Sequence, residues 1–244
     1  MIKLENIEVT GWGHAIRGMR NPMNSWEKSD SFWNGGFNYI TGQPSWTIGQ
    51  NDLNLMKQLR NAGTDHRKFM RMIVVYMDIT APLYWWKEFD TYKIGTVANS
   101  CSTMHKIAAK EFTLEDFSCE HLIDADFARN EPDWTGEYYD TPIICLKYTV
   151  DMLNLHRKKY IETKDKTYWW QMIQLLPSSY NQRRTVMLNY EVLANIYKSR
   201  KYHKLDEWQD FCREILKLPY GEVLIAGEGK EDTDDVKEIR YFSD

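Results

Sequence analysis

Asn189 and Arg200 stand eleven residues apart in a run of helical periodicity. That is about three turns, so both fall on the face carrying Leu193 and Ile196 and lie about 16 Å apart along the axis. An amide and a guanidinium so separated cannot hold one small group. They suit the two ends of an extended ligand, or two neighbouring sites in an oligomer. The plainer alternative makes Asn189 a buried polar residue and Arg200 a surface cation near a helix C-terminus. Ser102 precedes another predicted helix, where its hydroxyl suits an N-cap and the free N–H groups suit an anion. Trp85 and Trp86 are packing residues first, and either can stack on an aromatic ligand. No catalytic signature joins these parts: there is no phosphate-cradling glycine loop, no Gly-x-Ser-x-Gly and no His-Glu-x-x-His. Gly227-Glu228-Gly229 has neither the third glycine nor the following helix of a dinucleotide fingerprint and reads as a turn. Cys101, His105, Cys119 and His121 include a Cys-x-His spacing that fits no common zinc template, so no metal is expected.

The elements that must position these residues follow from periodicity. Leu53, Met56 and Leu59 predict a helix over 51–62, with Gly63 as its C-terminal cap. Residues 71–79 read as a strand, with Ile73, Val75, Met77 and Ile79 on one face and Met72, Val74 and Tyr76 making the other apolar, hence buried on both sides. Pro82 opens a helix over 82–93, followed by a polar segment from Gly95 to Ser102. Further helices are predicted at 103–111, 142–160, 166–176, 183–200 and 206–217. In the last, Asp206 is the N-cap and Trp208, Phe211, Cys212 and Ile215 form the apolar face. Residues 11–50, rich in Gly, Asn, Ser and Trp, read as a long irregular loop region. Short strands are predicted at 222–225 and 239–242. Together these describe one α+β domain over 1–221 and an acidic tail over 222–244.

The order of these features carries more than any one of them. A helix ends at Leu59-Arg60-Asn61-Ala62-Gly63, a β-rich run ends at Ala81-Pro82, and a helix reads Trp85-Trp86-Lys87-Glu88-Phe89-Asp90-Thr91-Tyr92-Lys93. Then come Asn99-Ser100-Cys101-Ser102-Thr103-Met104-His105, a distant Leu176-Pro177, and Asn189-Tyr190-Glu191-Val192-Leu193-Ala194-Asn195 running on to Arg200. Over roughly residues 50–217 this resembles the flavin-dependent thymidylate synthases, whose motifs are Gln-x-x-Arg-His-Arg, Asn-Glu, Ser, Arg-Tyr, Leu-Pro and a last helix with Asn, Arg, Leu, Asn and Arg.

The resemblance implies an α+β domain with a central mixed sheet flanked by helices, FAD as cofactor, and a homotetramer. The expected activity is transfer of a one-carbon unit from methylenetetrahydrofolate to a pyrimidine nucleotide, with NADPH reducing the flavin. It assigns Tyr92, Lys93, Asn189 and Asn195 to FAD, and Glu88, Ser100, Ser102 and Arg200 to the substrate. No residue is assigned a catalytic role. The chain departs from the motifs at several points. Glu88 replaces the Gln, Thr91-Tyr92-Lys93 replaces Arg-His-Arg, Ser100 replaces the Glu, and Met104-His105 replaces Arg-Tyr. Ile173 replaces an Arg ahead of the Pro, and Glu191 replaces the central Arg of the last helix. Arg17, Arg20 and Lys28 are available to replace lost cations from another subunit. An altered substrate pocket is the first expectation; the alternative is an inactive homologue acting as a binding or structural protein.

Composition sets the outer limits. The 244 residues are 43% apolar and 27% charged, a globular balance. Ten Trp and fifteen Tyr suit large interfaces as well as cores. Net charge is −4, but residues from Glu222 onward carry eight acids and three bases, leaving the rest close to neutral. No basic stripe points to nucleic acid, and no apolar run is long enough to span a bilayer. Four scattered cysteines argue for a reduced, cytoplasmic protein without a disulfide framework.

Overall fold

A computed structural model describes residues 2–38, 43–124 and 141–227. The chain is α+β, with a four-stranded antiparallel sheet in the order β1-β4-β6-β5, formed by β1 (Lys3–Thr10), β4 (Val74–Pro82), β6 (Asn181–Asn189) and β5 (Val97–Ser100). A hairpin of β2 (Phe32–Asn38) and β3 (Gln43–Thr47) stands apart from it. Antiparallel pairing replaces the mixed sheet expected: Leu83 N–H donates to Tyr180 O at 3.0 Å and Tyr190 N–H to Ile73 O at 3.1 Å, fixing β4 and β6 head to tail. The helices are α1 (Trp12–Arg20), α2 (Gln50–Asn61), α3 (Leu83–Phe89), α4 (Thr103–Lys106), α5 (Pro142–Thr163), α6 (Lys166–Leu175), α7 (Tyr190–Arg200) and α8 (Asp206–Leu216). By its contacts the chain divides into two compact units. Among the described residues, no helix is long and apolar enough to cross a membrane.

Unit 1 comprises residues 1–7, 76–187 and 204–210. The inward face of β4 is as predicted, with Ile73, just ahead of the strand, and Val75, Met77 and Ile79 buried, and Ala81 extends it. Its other face is not buried, because Asp78 and Thr80 alternate with Tyr76, which is 41% exposed. Asp78 accepts from Thr185 Oγ1 at 2.5 Å, Arg183 Nη2 at 2.6 Å and Asn6 Nδ2 at 2.7 Å. Those bonds, Thr185 first, lower its carboxyl to about 2 and lace β1, β4 and β6 on that face. Beneath the sheet Trp85, Trp86, Phe89 and Trp208 form a buried aromatic cluster, with Trp85 and Trp208 centroids 4.5 Å apart. A second core joins α5 and α6 through Leu146, Val150, Leu153 and Met172 to Ile107, Phe112 and Phe117.

Unit 2 comprises residues 8–75, 188–203 and those from 211 onward. The expected loop region 11–50 is largely ordered here. Trp12, Ala15, Ile16 and Met19 follow i, i+3, i+4, i+7 spacing and are buried along α1. Gly11 makes the entry to α1 at φ +93°, where a Cβ would lie 2.0 Å from Met72 O. Residues 20–31 fold over the start of α2, with Asp30 accepting from the N–H groups of Asn51 and Asp52 at 2.9 and 3.1 Å. A 3-10 helix over Arg67–Met72 packs on α1, α2 and α7. Residues 222–225, expected as a strand, fall in a π-helical turn over Glu222–Ala226 instead, because Arg60 collects its carbonyls: Nε donates to Leu224 O at 3.2 Å and Nη2 to Ile225 O and Ala226 O at 2.9 Å each. The predicted strand over 239–242 and the rest of the acidic tail lie outside the described residues.

Candidate functional site

In unit 1 a cleft of about 270 Å³ is lined by Phe89, Asp90, Tyr92, Lys93, Thr96 and Ala98. Its lining includes Tyr92 and Lys93, two of the four residues that the resemblance assigns to FAD. Helix α3 ends at Phe89, shorter than the predicted 82–93, because Thr91 turns the chain by bonding Glu88 O through both its N–H, at 3.1 Å, and its hydroxyl, at 2.7 Å. Thr91 is thereby spent on the backbone. Asp90 pairs with Arg184 at 2.7 Å, and that guanidinium stacks 4.2 Å from the Trp86 ring centroid. Thr96 has a buried hydroxyl without a hydrogen-bond partner among the described residues. Sequence reasoning saw Thr96 only as part of a polar segment, and no pattern would have separated it from Ser100 or Ser102.

Ser102 lies in a different cleft of unit 1, about 330 Å³, with Thr80, Thr103, Lys106, Lys110 and Arg183 among its lining residues. Ser102 is the N-cap of α4, its Oγ accepting from His105 N–H at 3.2 Å. Helix α4 runs one turn where 103–111 was predicted. Two of the cleft's cations are already paired, Lys110 with Asp116 and Arg183 with Asp78. Ser100 is exposed on β5, opposite Arg184, in a strand within what the sequence showed only as a polar segment. Glu88 is half-buried in the last turn of α3. Of the four predicted substrate residues, Glu88, Ser100 and Ser102 lie in unit 1, Ser102 lining this cleft, and Arg200 belongs to unit 2.

Asn189, Asn195 and Arg200 belong to unit 2, on or beside α7. The predicted helix over 183–200 is half strand. Gln182, Val186 and Leu188 alternate into the interior of β6, and pairing with β4 and β5 overrides the helix propensity of Gln, Arg, Met and Leu. Asn189 is consequently the N-cap of α7, its Oδ1 accepting from Val192 N–H at 3.0 Å. Asn195 Oδ1 accepts from Arg67 Nη2 at 2.9 Å. Glu191, in the first turn, takes Arg67 Nε at 3.3 Å on one oxygen and Arg71 on both. Arg200 lies in the last turn; burial pushes the Cys212 thiol up to about 12 and the Arg200 charge works against that rise. Arg20 is not available as a replacement cation, being 4% exposed and paired with Asp52 at 2.6 Å. Arg67 and Arg71 were missed, although the basic run His66-Arg67-Lys68 with Arg71 was visible. Among the described residues no group of His, Cys, Asp and Glu side chains gathers around a metal position.

No protein-family model matches the chain, and no curated protein matches it. Solved structures do. The chain is similar to thymidylate synthase X (ThyX) from Helicobacter pylori with FAD and dUMP, at 18% identity over 93% of this chain and 98% of that one, with a TM-score of 0.61. It is likewise similar to a structure of flavin-dependent thymidylate synthase ThyX from the same organism complexed with FAD and dUMP, at 18% identity over 92% and 98%, with a TM-score of 0.58. The α+β fold expected from the resemblance is the fold the chain has.

Proposed function

We propose that the protein is a flavoprotein of the flavin-dependent thymidylate synthase type that binds FAD and a nucleotide, with an altered substrate pocket. The observation that carries this is fold likeness along nearly the whole chain to proteins holding FAD and dUMP. The residues present suit a dinucleotide. Lys93 offers a cation and Tyr92 a phenol beside the unpartnered Thr96 hydroxyl. The oxygens of Asn189 and Asn195 are engaged, but their Nδ2 groups keep N–H donors for flavin carbonyls or phosphate. When bound, FAD supplies the chemistry for moving a one-carbon unit from methylenetetrahydrofolate to a pyrimidine nucleotide, with NADPH as reductant. The chain's own part is to bind and orient, with Glu88, Ser100, Ser102 and Arg200 on the substrate side.

Purified protein is expected to be yellow, or to take up FAD with a saturable change in flavin fluorescence. A colourless protein that shows no such change overturns the flavin assignment. Asn189→Ser separates ligand from cap: the serine hydroxyl still caps α7, so melting should stay near wild type, while FAD binding weakens about ten-fold or more through the lost amide donors. Asn189→Ala should lose about 1 kcal/mol of stability as well. Equal FAD affinity in the serine variant removes Asn189 from the site.

A second reading, an inactive homologue that keeps the fold as a binding or structural protein, is favoured by one observation. Ile173, standing where the resemblance has a cation, packs against the apolar core around Met172 and Leu153. The flavin spectrum separates the two readings. The homotetramer and the cytoplasmic location belong to the first. Tyr148, Met152 and Leu155 on α5 and Trp170 and Leu175 on α6 are each at least 42% exposed, apolar surface of the kind that large interfaces cover. Light scattering at micromolar concentration should report a tetramer, and a monomer would remove the shared-site part of the reading.

A further inference from the structure

Glu191 stands where the resemblance has an arginine, and on charge alone it would repel an anionic ligand. Its surroundings reverse that expectation. The carboxylate is 11% exposed and receives two guanidiniums from the 3-10 helix, Arg67 and Arg71. One carboxylate neutralises one of them, so the group as a whole is cationic. Arg67 is 16% exposed and divided between Glu191 and Asn195, which makes it the structural partner. Arg71 is 52% exposed and pairs side-on, using Nε and Nη2 and leaving Nη1 without a partner among the described residues. Side-on pairing fixes the plane of the guanidinium, so its remaining donors are already oriented before a ligand arrives. Lys68, also exposed, adds a charge to the same segment. Asp65 is the acid that acts on Arg71 from its own segment, and with it counted the set Asp65, Arg67, Lys68, Arg71 and Glu191 still carries an excess of one positive charge.

We propose that Arg71, oriented by Glu191, is a phosphoryl-binding residue of the nucleotide site on α7, so that the cation missing from position 191 is supplied by the 3-10 helix. The inference rests on the flavoprotein reading for its choice of ligands, and Asn195, held by Arg67, ties the cluster to that site. The shared chemistry is a phosphate oxygen, offered by the pyrophosphate of FAD or by the phosphate of a mononucleotide.

The test compares wild type with Arg71→Gln and Arg71→Lys in the full-length protein, titrated with FAD, riboflavin, dUMP, deoxyuridine and inorganic pyrophosphate. Arg67 remains on Glu191 in both variants, and thermal melts check that they fold. In Arg71→Gln the Kd for FAD should rise roughly ten- to a hundred-fold, with riboflavin unchanged and the pyrophosphate heat lost. Arg71→Lys should fall between. A rise confined to dUMP over deoxyuridine keeps the subsite and assigns it to the mononucleotide. Phosphorylated and unphosphorylated ligands shifting alike, or not at all, overturns the inference while leaving flavin binding intact. If wild type binds no flavin, the flavoprotein reading fails and pyrophosphate alone decides. Saturable binding lost in Arg71→Gln then supports the subsite, and binding that is absent or unchanged overturns it.

Discussion

Arg20→Leu is expected to destabilise the protein by about 3–5 kcal/mol, a large share of the roughly 5–15 kcal/mol that keeps a protein folded. The guanidinium is buried and each of its nitrogens donates: Nε to Asp52 Oδ1 at 2.6 Å, Nη1 to Ser25 O at 3.1 Å and Nη2 to Lys28 O at 3.1 Å. Its removal strands Asp52, which is itself wholly buried and otherwise bonded to Ser29 Oγ and the N–H groups of Asp30 and Ser31. The double variant Arg20→Leu with Asp52→Leu should recover most of the loss, since no buried charge is left unpaired. Burial raises the Asp52 carboxyl, but the bonds from Ser31, Ser29 and Arg20 outweigh it and hold it below the ordinary value. A depressed folded-state value means the stabilisation is fully present above the unfolded-state pKa of about 3.9 and is lost as pH falls through the folded-state value. Urea titrations at pH 7 should show the full difference between wild type and Asp52→Asn, and the gap should narrow steadily below about pH 3.9. A gap of under about 1 kcal/mol at pH 7 would mean that this pair does not hold residues 20–31 to α2.

Deoxyuridylate should bind weakly or not at all to the flavin-loaded protein, with little thymidylate synthase activity. On the proposed reading, Thr91, Met104 and Ile173 stand where a phosphate-anchored ligand would meet cations, and each lost charge-assisted bond is worth roughly 1.5–3 kcal/mol. Three such losses amount to several orders of magnitude in affinity. The local structure offers no easy return: the Thr91 hydroxyl bonds Glu88 O, and Ile173 is packed in the α5–α6 core. Met104 is 49% exposed, so Met104→Arg is the substitution best placed to recover affinity without burying a charge. Calorimetry decides the matter. Micromolar affinity in wild type would show that other cations rebuild the phosphate site, and the altered-pocket reading would give way to an ordinary, divergent synthase.

Much of this architecture was legible in the residues. Leu53, Met56 and Leu59 marked α2 to within a residue, and Trp208, Phe211, Cys212 and Ile215 are the buried face of α8 as expected. Trp85 and Trp86 proved to be packing residues, as side chains of that size usually are. Helix α1 was equally legible but was masked by the glycines and asparagines around it, which drew attention to turn chemistry instead of to Trp12, Ala15, Ile16 and Met19. The β6 error has a different origin. Asn181 to Asn189 is rich in helix-favouring side chains, and only its partners β4 and β5 make it a strand, a non-local fact that no window of sequence contains. The same limit governs the site. Asn189 and Asn195 were visible, but that Asn189 would cap α7, and that Glu191 would be claimed by two arginines some 120 residues earlier, depended on tertiary placement.

The bond from Arg60 to the π turn spans 164 to 166 residues of chain, and Arg67 and Arg71 reach Glu191 across 124 and 120. Unit 2 is therefore assembled from segments made at very different times. A ribosome adding about 5–20 residues per second leaves α1, α2 and the 3-10 helix waiting on the order of ten seconds for α7 to be synthesised. Over that interval Phe69 and Met70, buried residues of the 3-10 helix, have emerged without α7, which packs on that helix. The N-terminal third of the protein cannot complete its fold until α7 has been made, and until then its nascent chain presents apolar surface to whatever holds unfinished chains in the cell.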